Sequence, residues 1–197
     1  KFATTTTAAL QVSDGGSTTN GCQNVTIKNC VFAGANVLPT NTTISVGVSV
    51  SGSGGPVSGG GLHDNLTIDS CNFYGLYYGI YAVGNNPREY QNLKIRWNTI
   101  GSIDRIIRYR GIYLSGANRA LISNNTIFGI ENTSITQLEG MYIGGNFTNS
   151  RIDANNIYNI AYKGTSGYRG IGIDISQAAT NANDTICNNF ISGINGD

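Results

Sequence analysis

Charge is what this sequence has least of. Asp, Glu, Lys and Arg make up 12% of its 197 residues and nearly cancel, leaving a net charge of +1. Without a net field of either sign, nothing draws the chain to nucleic acid or to an acidic membrane surface. Low charge combined with ample aliphatic content also separates it from disordered polyelectrolytes. Helix formers are sparse, while Ile, Val, Thr and Tyr dominate, which favours strands. No apolar stretch reaches the length of a membrane span. The four cysteines, Cys22, Cys30, Cys71 and Cys187, contain no C-x-x-C pair, which argues against a zinc knuckle, and no metal or cofactor is expected. The first residue is Lys1 rather than Met, so a processed chain or an excerpt of a longer one is expected.

What the sequence does have is Gly, 27 residues, and Asn, 25 residues, in a repeating order. The run Asn24-Val-Thr-Ile27-Lys-Asn-Cys30-Val-Phe32-Ala-Gly34 returns five more times. Aligned on its first Ile, the copies place Ile27, Ile68, Ile95, Ile122, Ile152 and Ile186 in one column. Three residues on stand Cys30, Cys71, Asn98, Asn125, Asn155 and Asn189; five residues on, Phe32, Phe73, Ile100, Ile127, Ile157 and Ile191. A second module lies between the copies: Gly47-Val-Ser-Val50, Gly79-Ile-Tyr-Ala82, Gly111-Ile-Tyr-Leu114, Gly140-Met-Tyr-Ile143 and Gly170-Ile-Gly-Ile173. Its second and fourth positions are aliphatic and its third is not, the alternation of a strand with one buried face. Equivalent strands recurring at a long, regular period predict a solenoid in which each period is one coil stacked in parallel on the last.

The Asn-x-x-Ile-x-x-Asn-x-Ile-x-Gly repeat resembles that of right-handed parallel β-helix proteins over nearly the whole chain. The resemblance implies an all-β, right-handed parallel β-helix of about six coils, part of a longer solenoid, as a single domain over 1–197. Residues 1–23 are then an irregular N-terminal strand, roughly Thr6 to Val12, and turn; 51–61 are a flexible Gly/Ser loop inserted in a coil. It leaves activity open, because the fold carries lyases, hydrolases, tailspikes and adhesins.

In such a stack every column becomes a ladder with a rise of about 4.8 Å. The Ile27 and Phe32 columns are expected in the core, and the Cys30–Asn189 column at a bend, where stacked amides bond each other and left-handed dihedrals are tolerated. Cys30 and Cys71, on adjacent coils, are either a disulfide or a pair of buried thiols. The last repeat shows no polar cap, so further coils or a partner chain are expected at the C-terminal end.

Few constellations carry chemistry. The Gly-His-Gly of β-helix galacturonidases is missing; the single histidine is His63, between Leu62 and Asp64. A lyase-type calcium site needs several acids on adjacent rungs, but the column after the core Ile reads Lys28, Asp69, Arg96, Ser123, Asp153, Cys187. Its alternating signs suit cross-coil pairing; a catalytic site of Asp69, Arg96 and Lys94 is the weaker alternative. Asp174 is expected outward beside Gly144 and Ser115, and no acid pair stands on one face within the reach a glycosidase needs. Arg108 and Arg110 share a strand face and are candidates for a basic patch toward sulfated or uronic polysaccharide. The outward positions of the second module, Ser49, Tyr81, Tyr113, Tyr142 and Gly172, predict three stacked tyrosines on the surface, a stripe suited either to sugar rings or simply to sheet stability. Seven Asn-x-Ser/Thr sequons, several at positions where the repeat itself wants Asn, are read as scaffold rather than glycosylation sites.

These features, with a Thr/Gly/Asn-rich composition resembling repeat-rich bacterial surface proteins, point to a non-catalytic structural or adhesive module. It would be extracellular or on the cell surface, contacting polysaccharide or a surface glycan through the tyrosine stripe. The alternatives are a polysaccharide lyase or glycoside hydrolase fragment, and a phage tailspike-like shaft, which would trimerise.

Overall fold

The computed structural model describes residues 6–17, 19, 21–35, 44–84, 89–133 and 137–196. Each coil contributes one strand to each of three sheets. The first holds β1 (Thr7–Ser13), β2 (Thr26–Lys28) and β3 (Val31–Ala33); the second holds β4 (Ser45–Ser51), β5 (Thr67–Asp69) and β6 (Asn72–Tyr74). The third adds a short extra strand: β7 (Tyr78–Val83), β8 (Tyr90–Gln91), β9 (Lys94–Arg96) and β10 (Thr99–Ile100). The remaining coils are β11 (Arg110–Asn118), β12 (Leu121–Ser123) and β13 (Thr126–Asn132); β14 (Leu138–Thr148), β15 (Arg151–Asp153) and β16 (Asn156–Tyr162); and β17 (Gly170–Gln177), β18 (Thr185–Cys187) and β19 (Phe190–Asn195). The first sheet runs β1-β4-β7-β11-β14-β17 with β8 beside β11, the second β2-β5-β9-β12-β15-β18, and the third β3-β6-β10-β13-β16-β19. Each strand pairs in parallel with its counterpart one coil away. This is the stacked-coil architecture that the repeat predicts. The N-terminal strand is a regular rung rather than an irregular lead-in, with Leu10 opposite Val48 and Val12 opposite Val50.

The core ladders fall on the expected residues. Ile68, Ile95, Ile122 and Ile152 pair in register and are fully buried, as are Phe73, Ile100, Ile127 and Ile157. In the sixth coil the same columns lie open, with Ile186 50% and Ile191 45% exposed, because no described strand stacks beyond them. The glycine that opens each second-module strand has a steric cause. At the corner between the third and first sheets two consecutive residues face inward. A Cβ on Gly79, Gly111 or Gly140 would come within 2.6–2.7 Å of Ile100, Ile127 or Ile157 of its own coil.

Two details differ from expectation. The ladder asparagines are not themselves left-handed. Positive φ falls on the residue before each, Asn29, Ser70, Trp97, Asn124, Ala154 and Asn188, at 54–58°. This turns the corner and lets the next side chain point inward. Secondly, β17 is two residues out of the expected alignment: Tyr142 pairs with Asp174 and Met141 with Ile173. The fifth copy of the module, in the sixth coil, is therefore Gly172-Ile-Asp-Ile175, and the outward position after Tyr142 is Asp174 rather than Gly172.

The ladder itself is continuous. Each amide nitrogen donates to the next oxygen, Asn98 to Asn125 at 3.0 Å, Asn125 to Asn155 at 2.9 Å and Asn155 to Asn189 at 2.9 Å. Each also donates to the carbonyl of the core Ile one coil back. Cys71 takes the same place, its thiol 3.7 Å from the Ile27 carbonyl. Cys30 and Cys71 are both thiols, and burial raises the Cys71 pKa. The sequon asparagines Asn24 and Asn65 belong to a second, outer ladder, Asn65 donating to Asn24 at 3.1 Å and Asn92 to Asn65 at 2.9 Å.

Candidate functional site

The outer face of the first sheet gathers the polar and aromatic side chains that the core excludes. Because each strand carries two consecutive inward residues, such as Gly79-Ile80 and Gly111-Ile112, the outward positions on either side of them are three apart. Val46, Tyr78, Arg110 and Glu139 form one outward column, and Ser49, Tyr81, Tyr113, Tyr142 and Asp174 the next. The tyrosine rings stack as ladders should, Tyr81 on Tyr113 at 4.8 Å and 6°, Tyr113 on Tyr142 at 4.9 Å and 9°.

They are not a flat exposed stripe. Tyr81 is buried, 9% exposed, and its hydroxyl donates to the Val57 carbonyl at 3.0 Å. The 51–61 segment supplies that cover, folding back over β4: Ser51 and Ser58 hydroxyls bond the Gly55 carbonyl, and Ser49 bonds that of Pro56. Around the same end Tyr78 packs edge-on against Tyr77 and Tyr81, and Tyr109 packs tilted against Tyr78. Burial pushes the Tyr81 hydroxyl up to about 12 and raises those of Tyr78 and Tyr113. All three phenols are therefore neutral donors at physiological pH. Tyr113 and Tyr142 remain half-buried.

Arg110 is embedded in this cluster. Its guanidinium lies 4.2 Å from the Tyr109 ring centre, 4.5 Å from Tyr142 and 5.0 Å from Tyr113. It bonds Glu139, which is buried beside it. Burial disfavours the guanidinium charge, but the Glu139 bond and charge prevail and raise its pKa. Arg108 is buried as well, 5% exposed, and burial lowers its pKa. The basic patch expected of this pair is therefore absent: one arginine is buried and the other is neutralised by a carboxylate. The reason is the corner after Ile107, where the chain re-enters the sheet and the sequence alternation of an ideal strand does not hold.

One arrangement escaped the sequence reading. Gln137 Nε2 lies 3.0 Å from Glu139 Oε1 and 3.0 Å from Asp174 Oδ2. The two carboxylates, on neighbouring strands, are thus at most twice 3.0 Å apart through one amide. They were hidden by the β17 misalignment, which set Asp174 beside Gly144 and Ser115 instead of Tyr142. The residue before each module glycine, Tyr78, Arg110 and Glu139, was the available signal.

The second-sheet candidates form an ion-pair ladder. Asp69, 4% exposed, accepts from the Ser70 hydroxyl at 2.5 Å and Arg96 Nε at 2.7 Å, with Lys28 at 4.0 Å. Ser70 foremost, with Arg96 and Lys28, outweighs burial and holds the Asp69 pKa below the ordinary carboxylate value. A carboxylate so held is a weak base. Lys94 shares the strand of Arg96 and no bond ties it to Asp69 among the described contacts. The linkage has a definite sign: a lowered pKa stabilises the fold above the ordinary carboxylate range, and that stability is lost as pH falls through the folded value. Asp69→Asn should therefore lower the urea midpoint near about pH 7, with the gap to the parent closing toward about pH 2. A gap independent of pH would exclude the ion pair as its source.

His63 has a structural position. Its Nδ1 accepts from the Cys22 amide at 3.0 Å, leaving Nε2–H for the Ser51 carbonyl at 3.1 Å, and the ring is 1% exposed. Among the described residues no three His, Cys, Asp or Glu side chains converge as a metal site.

The right-handed β-helix region family matches residues 17–196. No curated protein and no solved structure matches. Six coils, three parallel sheets and a family match over most of its length place the chain in the right-handed β-helix family.

Proposed function

We propose that the chain is a non-catalytic structural and adhesive module of a secreted or cell-surface protein, contacting glycans across the outer face of its first sheet. The observation that carries the reading is the half-buried Tyr113–Tyr142 stack flanked by the Gln137–Asp174 pair. The rings spend their faces on each other and on Arg110, so their edges and hydroxyls point the way to ligand. Recognition is accordingly by hydrogen bonds from phenols, amide and carboxylate, spaced at one rung, rather than by stacking of sugar C–H faces. The exposed end face of the sixth coil, with Ile186 and Ile191, supports stacking of a further coil or partner chain there. On a glycan array, Tyr113→Ala with Tyr142→Ala and, separately, Asp174→Asn should lose most of the signal. Retained binding in both would remove this face as the contact surface.

The hydrolase alternative is favoured by one fact, the closeness of Glu139 and Asp174. Their separation admits the roughly 5–5.5 Å of a retaining pair. Release of reducing ends from a polysaccharide panel, abolished by Glu139→Gln, would replace the adhesive reading. A trimer in solution would favour the shaft.

A further inference from the structure

The outer face of the third sheet carries a second aromatic column with one rung missing. Its register runs Ala33, Tyr74, Gly101, Phe128, Tyr158 and Ser192. Phe128 stacks on Tyr158 at 5.0 Å and 10°, as the tyrosines of the first sheet do. On its other side there is no ring, because the position is glycine. Nothing else fits there: φ is +123°, and a Cβ would lie 1.6 Å from the Phe128 carbonyl oxygen. Beyond Gly101 the chain leaves the sheet as the 102–106 loop and walls the vacancy with Ile103, 84% exposed. The result is an open groove of about 470 Å³ running from Val31 to Phe128.

We infer that this groove is a binding site for a neutral pyranose unit of a glycan, seated on the free face of Phe128. The pairing of one aromatic face with neutral hydrogen-bonding groups argues for the class. Tyr74 and Phe128 stand two rungs apart, about 9.6 Å at about 4.8 Å per rung, but the Arg105 guanidinium lies over the Tyr74 ring, so the face left to a ligand is that of Phe128. A sugar ring matches both parts of such a site, an apolar C–H face and a rim of hydroxyls. Its apolar C–H face meets Phe128. Its hydroxyls meet the Asn72 amide and the Thr99 and Ser102 hydroxyls, which line the floor and rim. Charge argues for neutrality: the rim offers one acid, Asp104, and one base, Arg105, whose guanidinium lies over Tyr74 at 5.2 Å. The contrast with the first sheet is in the ring faces, consumed there by neighbours and left free here by Gly101. This site does not depend on the first-sheet reading.

The test is an amide- and aromatic-resolved NMR titration of the chain with methyl glycosides of glucose, galactose and mannose. Galacturonate and a naphthalene sulfonate serve as anionic and flat controls. At least one neutral glycoside should shift Thr99 and the Ser102–Asp104 amides, weakened about tenfold in Phe128→Ala but kept in Phe128→Trp. The Tyr113→Ala, Tyr142→Ala double variant should leave these shifts unchanged, separating this site from the first sheet. Thr99→Val and Asp104→Ala, both on the surface, supply the same comparison should Phe128→Ala fold poorly. No shift with any neutral glycoside, preference for either control, or affinity indifferent to all these variants would each overturn the assignment.

Discussion

Gly111→Ala should lower the melting temperature by roughly 6–12 °C, corresponding to about 3 kcal/mol in a chain of this size. The added Cβ would sit 2.6 Å from Ile127 Cγ2 and 2.7 Å from the Gly140 carbonyl oxygen. Neither can yield cheaply. Ile127 is fully buried in a ladder between Ile100 and Ile157, and Gly140 is held by the strand pairing of β14 with β11. The backbone at Gly111 is not left-handed, so the cost is one of space alone. Gly59→Ala is the control: its Cβ would meet only Val83 Cγ1, at an ordinary 3.6 Å, and a small gain is expected from a stiffer unfolded chain. Equal melting temperatures for the two variants would show that the corner has room to relax.

Asn125→Ala should cost about 2–4 kcal/mol, while Asn124→Gly next to it should be nearly neutral. Asn125 is 1% exposed and makes four bonds. It donates to Asn155 and to the Ile95 carbonyl, both at 2.9 Å, and accepts from the Asn98 amide and side chain, both at 3.0 Å. Removing it leaves those partners buried with unmet valences and breaks a polarised chain at its middle. Asn124 has φ +55°, a conformation glycine adopts freely. Denaturant midpoints of the two variants check this directly. Equal losses would mean that the dihedral, not the amide ladder, holds the bend.

This pair also shows how far the sequence could be read. Asn124 and Asn125 are the same residue type in the same repeat, and their column positions were legible because every copy carries the offset. That the Asn125 column bridges coils was legible too; that its neighbour Asn124 takes the left-handed turn was not, since left-handed geometry and a buried amide ladder each favour Asn. Arg108 and Arg110 show the same limit on a strand. Two residues apart, they read as one outward face, but β11 begins only at Arg110, so Arg108 lies outside the strand and is buried while Arg110 is bound to Glu139.

The sequence by itself determined the stacked coil and the core columns. In-register parallel stacking sets each residue against its own equivalent, so a periodic pattern in one dimension is already a contact map in the axial direction. What lies sideways on the surface is not periodic. The two-residue slip of β17, the cover of the 51–61 segment over Tyr81, the Glu139–Gln137–Asp174 contact and the vacancy at Gly101 each depend on strands and loops of unequal length meeting across coils. Only the tertiary structure decided those, because they depend on neighbours that no repeat encodes.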